Sequence, residues 1–149
     1  YMIIPTEPML IYMVLGSSVS VICRDVRQER SGCCHYLMPR PPRGDRPRPV
    51  HGVPAILHLI RMVMGESGKL EDLEAQVFGG GDLPGNVLGR ENVDIAQKIL
   101  RKIGVHIASM DVGGEKGRKL IYNSETNQVA VIKVDRIRAS DWYPREGEA

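Results

Sequence analysis

Apolar positions along this chain change their period several times, and each change marks an element. Met2–Ile4 and Met9–Val14 are short apolar runs separated by Pro5 and Pro8, and predict two short strands or one interrupted strand. Val19–Cys23 is β-branched and predicts a strand, Asp25–Ser31 a charged hairpin turn, and Cys33–Met38 the returning strand, stopped by Pro39. The spacing of Val53, Ile56, Leu57, Ile60, Val63 and Met64 is helical, with Pro54 in the first turn and Gly65 and Gly68 beyond the end. Leu73–Phe78 predicts a strand, followed by a sharp turn at Gly79-Gly80-Gly81-Asp82. Gly89–Asn92 precedes a second helix over Val93–Ile103, closed by Gly104. A strand over Val105–Met110, a glycine-rich turn over Asp111–Gly117 and a hairpin of Lys119–Asn123 with Gln128–Val134 complete the pattern. The order predicts an α+β fold, a mixed sheet with two main helices packed on it. The 149 residues form one domain (1–149), with a loose tail over 139–149.

Composition narrows the function. Net charge is only +2, and one Phe and one Trp offer few platforms for stacking bases, so nucleic acid is not an expected partner. No apolar run approaches the ~20 residues needed to span a bilayer, so membrane insertion is not expected. Residues 1–15 carry Glu7, Pro5 and Pro8 and lack a basic head, so they read as a first strand, not a signal peptide. Cys23, Cys33 and Cys34 are an odd set without zinc spacing, which suits reduced thiols in a cytosolic protein. The only biased segment, Arg40–Pro49, is a loop with Arg40, Arg43, Arg46 and Arg48 offset by Asp45 alone. It reads as a solvated loop or as a dock for an acidic partner, with Arg43 and Arg46 as its contacts.

Candidate chemistry gathers in Val14–Pro39. Gly16, Ser17 and Ser18 head one apolar strand and His35 sits inside the next, the arrangement of a nucleophile facing a base. The amides around Ser17 and Ser18 are candidates for an oxyanion hole. His51, His58 and His106 show no ligand spacing and read as structural or surface residues. Gly79–Gly81 and Gly113–Gly117 lack the Walker lysine and the strand–GxGxxG–helix context, so they read as tight turns. No metal or organic cofactor is called for.

Five motifs in order resemble the CheD family of chemoreceptor glutamine deamidases. They are Leu15-Gly16-Ser17-Ser18-Val19, Ser31-Gly32-Cys33-Cys34-His35-Tyr36-Leu37-Met38-Pro39, Leu73-Glu74-Ala75-Gln76-Val77-Phe78-Gly79-Gly80-Gly81, Gly89 with Asn92, and Asp111 with Gly113, Gly114, Gly117, Arg118 and Lys119. The resemblance implies a fold akin to the catalytic domain of cytotoxic necrotising factors. It implies hydrolysis of receptor glutamine side chains to glutamate and ammonia, with methyl-accepting chemoreceptor helices as substrate, a CheC-type CheY-phosphate phosphatase as partner, and a cytoplasmic location. It makes position 18 the nucleophile and His35 its base, and brings Ser17, Gly79 and Gly80 near the substrate.

The chain departs from the family at two supporting points. Ser18 stands where the family has a nucleophilic cysteine, and Tyr12 and Met13 stand where a threonine orients the histidine. A hydroxyl is far harder to deprotonate than a thiol, and loss of one member of such a set can cost on the order of 10⁴ in rate. Little or no turnover is therefore expected, either from a Cys→Ser replacement or from a naturally diverged pseudo-enzyme, the origin that Met13 and Cys34 favour. The alternative function is a non-catalytic CheD-like adaptor. Cys33 is the one thiol expected to share the face of His35, since residues two apart on a strand point the same way.

Overall fold

A computed structural model of the chain describes residues 1–82 and 86–142. Among the described residues eight strands fall into two sheets. The five-stranded sheet runs β1 (Met2–Ile3), β4 (Arg30–Tyr36), β3 (Val19–Asp25), β5 (Leu73–Gly79), β6 (His106–Val112). It is mixed: β5 and β6 are parallel, joined through a helix, and the other neighbours are antiparallel. The three-stranded sheet is β2 (Leu10–Leu15), β7 (Gly117–Asn123), β8 (Gln128–Val134), all antiparallel. The break at Pro5–Pro8 therefore separates two strands that join different sheets.

Helices α1 (Gly52–Met64) and α2 (Leu88–Ile103) pack on one face of the larger sheet, and the smaller sheet covers the other. Strand parity assigns the sides. Val19, Val21, Cys23, Cys34 and Tyr36 meet the helices, while Ile22, Cys33 and Phe78 meet Met13, Leu15 and Leu120 of the smaller sheet. Strands buried on both faces read as continuous apolar runs rather than alternating ones. This is the predicted α+β class.

The helices differ from expectation in detail. In α1 the core side is Ala55, Ile56, Leu59, Ile60 and Val63, whereas Leu57 is 46% exposed. Helix α2 begins at Leu88, five residues before the predicted start, and takes in Gly89 and Asn92. Its first turn is capped from upstream: the Leu88 N–H donates to Asn86 Oδ1 at 2.8 Å and the Arg90 N–H to Asp82 Oδ1 at 3.1 Å. A cap eight residues away depends on how the loop folds, which periodicity does not show.

Past Arg138, Ala139–Trp142 forms one helical turn instead of a loose tail. Lys119 Nζ donates to Asp141 Oδ1 at 2.6 Å, and the Arg138 N–H to Asp141 Oδ2 at 2.7 Å. The rest of the expected tail, 143–149, lies outside the described residues.

Candidate active site

Ser18 lies one residue before β3, and His35 is the next-to-last residue of β4. The β3–β4 ladder pairs Val19 with Tyr36 and Ser20 with His35. Ser18 Oγ and His35 Nε2 are 2.7 Å apart, and both residues are 6% exposed. The predicted nucleophile position and base are thus a buried hydrogen-bonded pair. The Tyr1 ring stands edge-on to the imidazole, with centroids 5.2 Å apart.

Burial pushes the His35 imidazole down to about 4. It is neutral at pH 7, the state a base requires, but it is a weak base. Among the described residues His35 Nδ1 makes no hydrogen bond, so nothing polar orients the ring from behind. Met13 stands where the family resemblance expects the orienting threonine. It is buried in the smaller sheet, with its thioether Sδ accepting from Ser20 Oγ at 3.2 Å, while Tyr12 points outward at 68% exposure. Met13 and His35 both line a cleft of about 340 Å³, with Tyr12, Val14, Lys119 and Ile132 on its walls.

The Gly79–Asp82 loop is bonded to the Ser18 turn and is tied in turn to the Gly113–Gly114 loop. The Gly80 N–H donates to the Ser18 carbonyl at 2.8 Å and the Gly81 N–H to the Gly16 carbonyl at 2.8 Å. The Gly113 N–H donates to the Gly79 carbonyl at 3.0 Å and the Asp82 N–H to the Gly114 carbonyl at 2.8 Å. These amides are occupied in tying loops together, which fits tight turns rather than phosphate loops. Gly79 needs its glycine: its φ is +108°, and an added Cβ would lie 2.3 Å from the Ser18 carbonyl oxygen. By contrast, the Ser17 and Ser18 amides donate to no acceptor among the described residues.

Behind these loops Arg118, 2% exposed, fixes the last motif. Its guanidinium donates to Asp111 Oδ1 at 2.7 and 3.0 Å and to the carbonyls of Gly113 and Lys116. Burial pushes the Asp111 carboxyl up, but hydrogen bonds from Arg118 and Lys133 outweigh it and hold the group below the usual carboxylate range.

The other candidates separate clearly. Cys33 is buried on the His35 side, as expected, but burial raises its thiol to about 11, the reverse of nucleophile activation. Cys23 and Cys34 face the helices, and burial pushes both up to about 12. His51 is buried at the start of α1, with Nδ1 accepting from the Arg48 N–H at 3.0 Å, while His58 and His106 are exposed. Arg43 and Arg46 are exposed in the loop between β4 and α1 and form no salt bridge among the described residues. The sequence reading assigned no role to Ser20 or to Asn92. Parity from Ser18 is enough to place Ser20 on the same face, but the contacts of Asn92 arise only when α2 meets the sheet.

The family model described as "CheD chemotactic sensory transduction" matches residues 37–133. The chain belongs to the CheD family. It is 36% identical over 139 residues to a Geobacter sulfurreducens protein named "Probable chemoreceptor glutamine deamidase CheD 2", covering 90% of this chain and 86% of the relative. It is 31% identical to a Sulfurimonas denitrificans CheD, covering 89% of each chain, and 32% identical to a Pyrococcus horikoshii CheD, covering 80% and 79%. The CheD model match takes in Gly79–Gly81, Asn92 and Asp111–Lys119, while Ser18 and His35 precede it. Among the described residues no cluster of His, Cys, Asp or Glu suits a metal ion, and no helix is long and apolar enough to cross a membrane.

Proposed function

We propose that this chain carries a protein-glutamine deamidase site for chemoreceptors, with its turnover severely weakened by Ser18. The observation that carries the reading is the buried contact of 2.7 Å between Ser18 Oγ and His35 Nε2 in the CheD framework.

In this reading Ser18 Oγ attacks the carbon of a glutamine side-chain amide while His35 Nε2 takes its proton. The oxyanion forms near the free Ser17 and Ser18 amides. The intermediate collapses as His35 returns the proton to nitrogen, and ammonia leaves. Water, deprotonated by His35, then cleaves the acyl-serine ester, giving glutamate and restoring the hydroxyl. Two features slow the first step. The nucleophile is a hydroxyl, and its base is held near pKa 4. A thiol at position 18 relieves the first of these.

The test is ammonia release from a purified receptor fragment containing glutamines. Expected rates are near background for the parent and for Ser18→Ala, and clearly higher for Ser18→Cys. Steady release by the parent, abolished in Ser18→Ala, would overturn the claim of weak turnover. Background rates in Ser18→Cys with a bound fragment would favour the adaptor reading.

That second reading is favoured by Met13, which offers His35 no polar partner. In it the chain binds receptors or a CheC-type CheY-phosphate phosphatase in the cytoplasm without catalysis. Receptor docking in either case draws on the exposed Arg43 and Arg46, opposite an acidic helical surface.

A further inference from the structure

The Ser18–His35 pair sits where the sheet stops holding it. The last rung of the β3–β4 ladder is Val19 with Tyr36. Ser17 and Ser18 on one side, and Leu37 on the other, lie beyond that rung. The Gly80 N–H holds the Ser18 carbonyl and the Leu37 N–H donates to the Val50 carbonyl at 3.0 Å. Among the described residues, however, no backbone hydrogen bond joins the two chain ends to each other beyond that rung, and an angstrom of splay between them separates a reacting pair.

One side chain bridges this gap. Asn92 Nδ2 donates to the Ser17 carbonyl at 2.9 Å and to the Leu37 carbonyl at 3.0 Å. Both hydrogens of a single planar nitrogen are thereby used, one for the segment bearing Ser18 and one for the segment following His35. The residue is itself held on three sides. It is 0% exposed, it lies in the first turns of α2, and the Tyr36 hydroxyl donates to its main-chain carbonyl at 2.5 Å. Asn92 Oδ1 meets no donor among the described residues, so the side chain is oriented by its two donors alone.

Only an amide fits this post. An ionised aspartate has no hydrogen to donate, serine has one, and leucine of similar volume has none. Glutamine adds one methylene at a position that is fully buried.

We propose that Asn92 is the positioning residue of the Ser18–His35 pair, closing the open end of the β3–β4 ladder so that Oγ and Nε2 stay in hydrogen-bond contact. The inference rests on reading those two side chains as the reacting pair, and its test separates the two ideas.

The experiment follows alkylation by iodoacetamide at position 18, read by peptide mass spectrometry from pH 5 to 10, in the Ser18→Cys protein. His35→Ala in that background defines the profile of a thiol without its imidazole. Asn92→Leu should move the half-maximal pH by about half or more of that shift, in the same direction, with the protein still folded by circular dichroism. Asn92→Ser, with one donor left, should fall between. If His35→Ala shifts the profile and folded Asn92→Leu superimposes on its parent, the positioning role is wrong. If His35→Ala itself shifts nothing, the reacting pair is wrong and the inference falls with it. Should Asn92→Leu not fold, Asn92→Ser carries the same readout, and an unshifted profile there overturns the proposal.

Discussion

Gly89→Ala gives the sharpest test of how α2 builds the site, because local and tertiary reasoning predict opposite signs. Gly89 is the second residue of α2, and helix propensity alone favours alanine there by about 1 kcal/mol. In the folded chain, however, an added Cβ would lie 2.3 Å from the Gly81 carbonyl oxygen and 2.7 Å from that of Gly80. These are backbone atoms and cannot rotate away. Restoring an ordinary contact near 3.4 Å moves the helix end or the loop by about 1 Å. That loop holds the Ser18 and Gly16 carbonyls through hydrogen bonds of 2.8 Å each. Overpacking of this kind costs about 1–3 kcal/mol, and lengthening the two hydrogen bonds adds up to about 1 kcal/mol each. Set against the propensity gain, the net loss is about 2 kcal/mol. Urea unfolding should show the midpoint falling by about 1 M, and the melting temperature by about 4–8 °C. A midpoint equal to or above that of the parent would refute the reasoning, since it would mean that the close approach of α2 to Gly80 and Gly81 imposes no constraint.

Three further outcomes follow from the same structure. Burial holds His35 near pKa 4, below the ~6.5 of a free imidazole, so the unfolded chain binds the extra proton. Stability should be complete above about pH 6.5 and decline by up to about 3 kcal/mol as the pH falls toward 4. Urea midpoints should show that slope in the parent and a flatter one in His35→Asn. Asp111→Ala leaves the Arg118 guanidinium buried with only carbonyl partners and should cost about 3 kcal/mol, read as a lower melting temperature. An unchanged melt would show that the pair of buried Arg118 with partly exposed Asp111 does not brace the loops. Replacing Arg43 and Arg46 by glutamine should weaken binding to a receptor fragment at low salt and make little difference at high salt. Equal affinities at low salt would remove that loop from the docking surface.

The legible parts of the chain were those governed by local rules. Val53–Met64 announced a helix through its 3–4 spacing, and strands such as β3 announced themselves through short apolar, β-branched runs. Strand parity placed Cys33 with His35 and Cys23 on the opposite face. The motifs placed Ser18 and His35 in the same site. What escaped was decided between elements distant in sequence. The early start of α2 depends on caps from Asp82 and Asn86. Leu57 fits the apolar face by spacing, but Ala55 and Leu59 take the contact with the sheet.

Covalent order therefore determined which groups were present: a hydroxyl at position 18, an imidazole at 35, a thioether at 13 and three buried thiols. Tertiary packing decided what each could do. It brought Ser18 within 2.7 Å of His35, took that imidazole out of water, and raised all three thiols through burial. It also laid one amide of α2 across two strand ends that are 20 residues apart in the chain. Distance, desolvation and shared hydrogen bonds are properties of the packed interior, and no pattern along a single strand contains them.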